Sequence, residues 1–285
     1  MRTRLKTTLV ALAFVGATLS FTTAAQRGAV AQASGGAGLK WLIQGPGAEA
    51  LAKDPNAIKF FQGAAPYVRM PKNSSVQIPP GWNAIPFESF TSYRAIKDAL
   101  DNNKLEPGVK AILYDSENWP MTPDDEKRDP DTAHQTAAQI VHSHNLIFIA
   151  APAVDLARVL EPGTRGRAYE VYLRHNLAAI AARNADVVDI QAQGSQNNQS
   201  TYTDFVQRAA AQAKSANPNV IVIAGISTNP HGEATTSDRL LGAVQATRSM
   251  VQGYWLNMPQ KSSYCPNCTQ FRPDIAIDFL RKLGT

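Results

Sequence analysis

The strongest constraint in this chain is a rhythm. Short runs rich in β-branched and aromatic residues recur roughly every 30 to 40 residues, bounded by Gly, Pro or Asn, with amphipathic stretches at helical spacing between them. Strands are expected at Lys40–Gln44, Val109–Asp115, Leu146–Ala151, Val187–Gln193, Val220–Ile226 and Gly253–Asn257. Helices are expected at Ser92–Asn102, Thr132–Ser143, Ala168–Arg183, Tyr202–Ser215, Asp238–Met250 and Pro273–Leu283. Capping residues open several of them: Thr91 or Ser92, Thr201, and Ser237 before Asp238. Such a β-α-β-α order makes neighbouring strands parallel, because each helix returns the chain to the end where the last strand began.

Two parallel architectures compete, the closed barrel and the open doubly wound sheet. A nucleotide-binding open sheet announces itself with a Gly-rich turn after its first strand. Here Gln44-Gly45-Pro46-Gly47 stands in that place, where Pro46 removes an amide and no GxGxxG spacing follows. Alternation in Asp186–Gln193 favours the barrel: Val188, Ile190 and Ala192 make one face, Asp189, Gln191 and Gln193 the other. An open parallel strand is covered by helices on both sides and should be apolar on both, whereas one polar face suits a barrel lumen near its mouth. The expectation is a single (β/α)8-type (TIM) barrel over residues 39–285, irregular in its second and third strands. Those two strands must lie within residues 56–90 and are placed at Ile58–Gln62 and Ala84–Phe87.

Ahead of the barrel, residues 1–31 read as a secretory signal peptide. Arg2, Arg4 and Lys6 precede an uncharged run from Thr7 to Ala25, and Ala29-Val30-Ala31 fits the small-x-small cleavage rule, with Thr23-Ala24-Ala25 a second candidate. The Leu9–Phe21 core is short for a helix that must cross about 30 Å of hydrocarbon. Residues 32–38 are an Ala/Ser/Gly lead-in, expected to be flexible. The mature protein is therefore expected to be secreted, extracellular and free of the membrane after cleavage.

The formal charge of +5 belongs to this leader. Arg2, Arg4, Lys6 and Arg27 are four of the 28 basic residues and no acidic residue accompanies them, so 24 basic residues face 23 acidic ones in the rest. No Lys/Arg cluster remains to neutralise phosphates, which argues against nucleic acid as a partner. The two cysteines, Cys265 and Cys268, lie in a Ser/Pro/Asn-rich stretch near the C-terminus, where an exported protein would close them into a local disulfide.

In a barrel, chemistry sits where strands end. Those ends supply Gln44, residues 114–119, 152–155, 191–196, 227–233 and 255–259, a polar, amide-rich set with aromatics. It holds no GxSxG nucleophile and no phosphate cradle. Within Val109–Glu117 the period of two sends Ala111, Leu113, Asp115 and Glu117 to one side, the two carboxyls roughly 7 Å apart in strand geometry. Like charges this close raise each other's proton affinity, so one can stay protonated near neutral pH, as a general acid requires. Helix capping or pairing with an Arg is the structural alternative.

An apolar strand ending in Asp115-Ser116-Glu117 resembles the fourth strand of the family 18 (chitinase-like) glycoside hydrolases. The resemblance implies that Glu117 is the proton donor and that Asp115 orients a substrate N-acetyl group serving as internal nucleophile. Ala185–Gln193 is similar to the sixth strand of plant-type members, which carries a site Gln, and Gly253–Asn257 to the last strand, whose Trp floors the central sugar subsite. The pattern departs where Lys110 and Leu113 occupy its two earlier Asp positions, and where Gly194-Ser195 stands in place of a site Tyr.

Trp119 and Trp255 offer flat faces for sugar rings, and Gln44, Gln191, Gln193 and Asn257 supply the paired donors and acceptors that match vicinal hydroxyls; both indoles could equally be barrel core. No metal site is expected: His142 and His144, two apart on a helix, do not share a face. His231, in the Asn229–Glu233 loop, is the one histidine placed where barrel chemistry happens. The reading is a secreted glycoside hydrolase-like barrel acting on a polysaccharide or oligosaccharide without a cofactor. The alternatives are a non-catalytic carbohydrate-binding barrel and another exported hydrolase that uses His231.

Overall fold

The computed structural model describes residues 38–284 except 71–77, 79, 165, 167, 263 and 264. The signal peptide expected over 1–31, and all of the 32–38 lead-in but Gly38, lie outside the described residues. The chain runs β1 (Lys40–Ile43), α1 (Gly45–Leu51), α2 (Pro55–Phe61), β2 (Tyr67–Arg69), β3 (Ile85–Phe90) and α3 (Tyr93–Asp101). It continues through β4 (Ala111–Tyr114), α4 (Asp124–Arg128), α5 (Pro130–Ser143), β5 (Ile147–Ala150), α6 (Ala157–Leu160), α7 (Ala168–Arg174) and α8 (Leu177–Ala182). The last third holds β6 (Val187–Ile190), α9 (Gln199–Ala216), β7 (Ile221–Ser227), α10 (Ser237–Thr247), β8 (Gly253–Asn257) and α11 (Pro273–Leu283).

The eight strands pair in sequence order, all parallel, and β8 closes on β1 through Lys40 opposite Gly253 and Ile43 opposite Leu256. This is the (β/α)8 barrel that the rhythm implied. The alternation of strand side chains sorts the apolar residues into two cores. Leu42, Tyr67, Phe87, Ala111, Leu113, Ile149, Val187, Ile223 and Trp255 fill the lumen. Their outward neighbours, among them Ile43, Ile112, Val188 and Leu256, meet the helices in a larger outer layer. No helix among the described residues is long and apolar enough to cross a membrane.

Two sequence expectations are corrected. Ile58–Gln62 is not a strand: it lies largely in α2, where Asp54 accepts the Asn56 and Ala57 amides at 2.9 and 3.0 Å and Pro55 takes the first helical position. Phe60 and Phe61 pack edge-on to Trp41 at 5.7 and 6.0 Å, and periodicity alone cannot tell so short an apolar run from a strand. The second strand is instead the three-residue Tyr67–Arg69, while the third covers Ala84–Phe87 only in part and runs on to Phe90. The expected helix Ala168–Arg183 is broken by Asn176, whose φ of 53° is left-handed, giving α7 and α8. Ser92 caps α3 as expected, but Asn198 and Thr236, not Thr201 and Ser237, accept the amides that open α9 and α10.

Candidate active site

Strand β4 keeps its register past its formal end. The Asp115 amide donates to Phe90 O at 2.8 Å and the Ala153 amide to Ser116 O at 2.9 Å, so Asp115 continues the lumen face of Ala111 and Leu113. Tyr114, pointing the other way, anchors the following loop. Its hydroxyl donates to Glu126 Oε2 at 2.8 Å, and the same carboxyl accepts Ser92 Oγ at 2.7 Å, the Tyr93 amide at 3.0 Å and Arg94 Nη1 at 2.9 Å. One buried carboxyl on α4 thus ties the β4 loop to the start of α3.

The separation of about 7 Å expected for the two strand-end carboxyls is corrected: Asp115 and Glu117 are in direct side-chain hydrogen-bond contact. Glu117 lies beyond the last ladder bond, its amide turned to Thr122 Oγ1 at 3.4 Å, so its side chain is free to fold back. Two carboxyls can share a hydrogen bond only through a proton. Burial pushes the Glu117 carboxyl far above the usual range, and the charges of Asp115 and Asp155 push the same way. Burial also raises Asp115, opposed by the Arg69 guanidinium and by Gln191. Gln191, just past the end of β6 and two strands from β4, holds the pair, donating Nε2–H to Asp115 Oδ1 at 2.8 Å and to Ala151 O at 3.0 Å.

The other strand-end residues singled out from the sequence fall at the same end of the barrel. Trp255, on β8, is lumen-facing and only 5% exposed, and its indole N–H has no hydrogen-bond partner among the described residues. The same holds for Asn257 Oδ1 and for Gln193 Oε1, which lies over the bare Gly225 of β7 where any Cβ would collide with it at 2.2 Å. Trp119 is half-buried on the β4 loop, its carbonyl accepting Lys127 Nζ at 3.3 Å. Gln44 follows β1 beside the end of β8, but no hydrogen bond among the described residues joins it to the carboxyl pair. His231 is exposed on the loop after β7 in a left-handed turn (φ 53°), its ring against Gly194. His142 pairs with Asp186 Oδ2 at 3.0 Å, at the far end of the barrel, ahead of β6.

Cys265 and Cys268 form the expected disulfide. Their loop braces the His231 turn, since Asn229 Nδ2 donates to Gln270 O at 3.2 Å and Gly232 lies against Asn267 so closely that a Cβ would meet its backbone at 2.5 Å.

Four site features were not assigned from the sequence. Arg69 faces Asp115 from the end of β2, and was missed because that strand was misplaced. Asp155, within a strand-end stretch, accepts the Asn118 amide at Oδ1 at 3.0 Å. Gln196 pairs with both the amide and the carbonyl of Ser227, at 2.6 and 2.5 Å, fastening the β6 loop to β7. Asp189 was read as lumen-facing but not as a site residue; it is fully buried, neither of its oxygens has a partner among the described residues, and burial raises its carboxyl well above the ordinary value, with the charge of Asp115 adding to this.

No protein-family model matches this chain, and no curated protein matches it. Among solved structures it is similar to the PgaB (BpsB) glycoside hydrolase domain from Bordetella bronchiseptica, at 8% identity and a TM-score of 0.48, covering 85% of this chain and 98% of that one. It is similar to a GH128 curdlan-specific exo-beta-1,3-glucanase from Blastomyces gilchristii, at 11% identity and a TM-score of 0.44 over 78% and 90% of the two chains. It is also similar to the carboxyl transferase domain of Rhizobium etli pyruvate carboxylase, at 11% identity and a TM-score of 0.47 over 87% and 46%. These likenesses span different chemistries, and none of them decides a reaction.

Proposed function

We propose that this protein is a secreted glycoside hydrolase in which Glu117 is the general acid. The observation that carries this reading is the Asp115–Glu117 hydrogen bond at the barrel mouth, which keeps a proton on a carboxyl at pH values where free carboxyls are ionised. Glu117 gives that proton to the glycosidic oxygen as the bond to the anomeric carbon breaks. Asp115, oriented by Gln191, is the second carboxyl of the pair and steadies the proton before transfer. Trp255 and Trp119 present rings to the sugar, and the unpartnered groups of Trp255, Gln193 and Asn257, with Gln191 and Gln44, take its hydroxyls. The chemistry calls for no cofactor.

Export by the 1–31 leader, removed on secretion, fits a chain whose two cysteines are joined in a disulfide. Its near-neutral charge after the leader fits a neutral glycan better than a nucleic acid.

The test is release of reducing sugar from a panel of cell-wall and storage polysaccharides by the mature chain and by Glu117→Gln. Turnover by wild type on at least one glycan is expected, with a loss of about 100-fold or more in the variant. Equal activity in both removes Glu117 from the chemistry. Binding of the panel without turnover would identify a carbohydrate-binding barrel, and loss of activity in His231→Ala with Glu117→Gln unaffected would select the His231 hydrolase.

A further inference from the structure

A general acid is half of a glycosidase. The other half is a carboxyl across the anomeric carbon, about 5 to 5.5 Å from the acid when it attacks the sugar directly and about 6.5 to 9.5 Å when it activates water. Asp115 cannot fill that place, because it is hydrogen-bonded to Glu117 and leaves no room for a sugar carbon between them. We propose that Asp155 is the second catalytic carboxyl, acting as general base on the attacking water, an inference that rests on Glu117 being the acid.

Asp155 lies in the short turn Val154–Leu156 that follows β5, the strand next to β4. Its Oδ1 accepts the amide of Asn118, the residue after Glu117, at 3.0 Å, which fixes the carboxyl beside the acid. Its other oxygen takes no hydrogen bond among the described residues, and the group is only half-buried. It feels Glu117 and Asp115 electrostatically without bonding to either. Burial raises its carboxyl above the ordinary value, opposed by the Asn118 amide and by the charges of Arg158, His231 and Lys127. The mouth therefore brings the acid and a second, separately held carboxyl together on adjacent strand ends. The indole N–H of Trp255, 5% exposed in the same lumen and without a partner among the described residues, points independently to a polar ligand there.

The step balances with water as the only co-reactant. The free oxygen of Asp155 takes a proton from water while the water oxygen bonds to the anomeric carbon. The bond from that carbon to the leaving oxygen breaks, and its electron pair takes the proton of Glu117. Asp155 ends protonated and Glu117 ionised, and solvent restores both. The product has inverted anomeric configuration. No acetamido group of the substrate takes part in this step.

The experiment compares wild type, Glu117→Gln, Asp155→Asn and Asp155→Ala on glycans with 2-hydroxyl and with 2-acetamido groups, and reads the first-formed anomer by proton NMR. Asp155→Asn keeps an acceptor for the Asn118 amide, so it removes the base and leaves the loop in place. Its kcat is expected to fall about 1000-fold with KM within a few-fold of wild type, and the wild-type product is expected to be inverted. Activity of Asp155→Asn within tenfold of wild type, including the case where only Asp155→Ala fails, reduces Asp155 to a loop anchor and overturns the inference. A retained anomer, on either kind of glycan, overturns it as well. An inactive Glu117→Gln beside an active Asp155→Asn sinks this inference alone, equal activity of Glu117→Gln and wild type sinks the underlying reading, and a wild type silent on every glycan sinks both.

Discussion

Replacing Glu126 by Ala tests how the β4 loop is held. The carboxyl is buried and receives four hydrogen bonds, from Ser92 Oγ, the Tyr93 amide, Arg94 Nη1 and Tyr114 Oη, at 2.7 to 3.0 Å. Arg94 is half exposed and can turn to water, so its loss counts for little. Tyr114 is fully enclosed, and an unpartnered hydroxyl there costs about 1 to 3 kcal/mol. Ser92 keeps its capping bond to the Arg94 amide at 3.1 Å, but its hydroxyl proton loses its acceptor, as does the Tyr93 amide. Together with the space vacated, the loss should be about 3 to 5 kcal/mol, near the range for breaking a buried pair from one side. In a domain of this size that is a fall in Tm of roughly 10 °C. Urea denaturation of wild type, Glu126→Ala, Tyr114→Phe and the double variant measures it. Tyr114→Phe alone should cost about 1 to 2 kcal/mol, because Glu126 keeps its other donors. The double variant should cost clearly less than the sum of the two, since each single change already removes their shared bond. A Glu126→Ala variant within 1 kcal/mol of wild type, or strictly additive costs, would refute the reasoning.

Two further outcomes can be checked directly. Glu117 keeps its proton when folded and releases it when unfolded above its ordinary value near 4.3, so stability should fall as pH rises above that value, by up to about 1.4 kcal/mol per pH unit, until the folded carboxyl itself ionises. Urea melts at pH 5 and pH 8 should show wild type losing stability relative to Glu117→Gln, and parallel behaviour would contradict the shared proton. At Asn176, where the backbone is left-handed, Asn176→Gly should be close to neutral and Asn176→Val should cost about 1 to 2 kcal/mol, a difference that thermal melts resolve.

Much of the barrel was legible because burial leaves a period in the sequence. The strands from β4 to β8 are four to seven residues of apolar or alternating side chains between clear helices, and each was found within a few residues of its place. The second strand was not, because three residues carry no readable period, while the nearby Ile58–Gln62 run is apolar at a spacing that a helix and a strand share. The helix break at Asn176 was invisible for a related reason: Asn tolerates both helical and left-handed backbone, and only packing of α7 and α8 onto different neighbours selects one.

The site divides along the same line. Sequence alone placed Asp115, Glu117, Gln191, Gln193, Trp255 and Asn257 at one end of a barrel, because a side chain's direction on a strand follows from its parity. It also determined that residues 1–31 carry the excess charge and that the two cysteines lie close enough to bridge. Only the tertiary structure decided that Asp115 and Glu117 touch, that Gln191 holds them, and that Arg69 and Asp155 stand beside them. Apart from the Asp115–Glu117 pair itself, those contacts join residues 37 to 76 positions apart through loops with no period of their own. Their positions follow from barrel closure and from bonds such as Asn118 to Asp155, which exist only once all eight strands are in register.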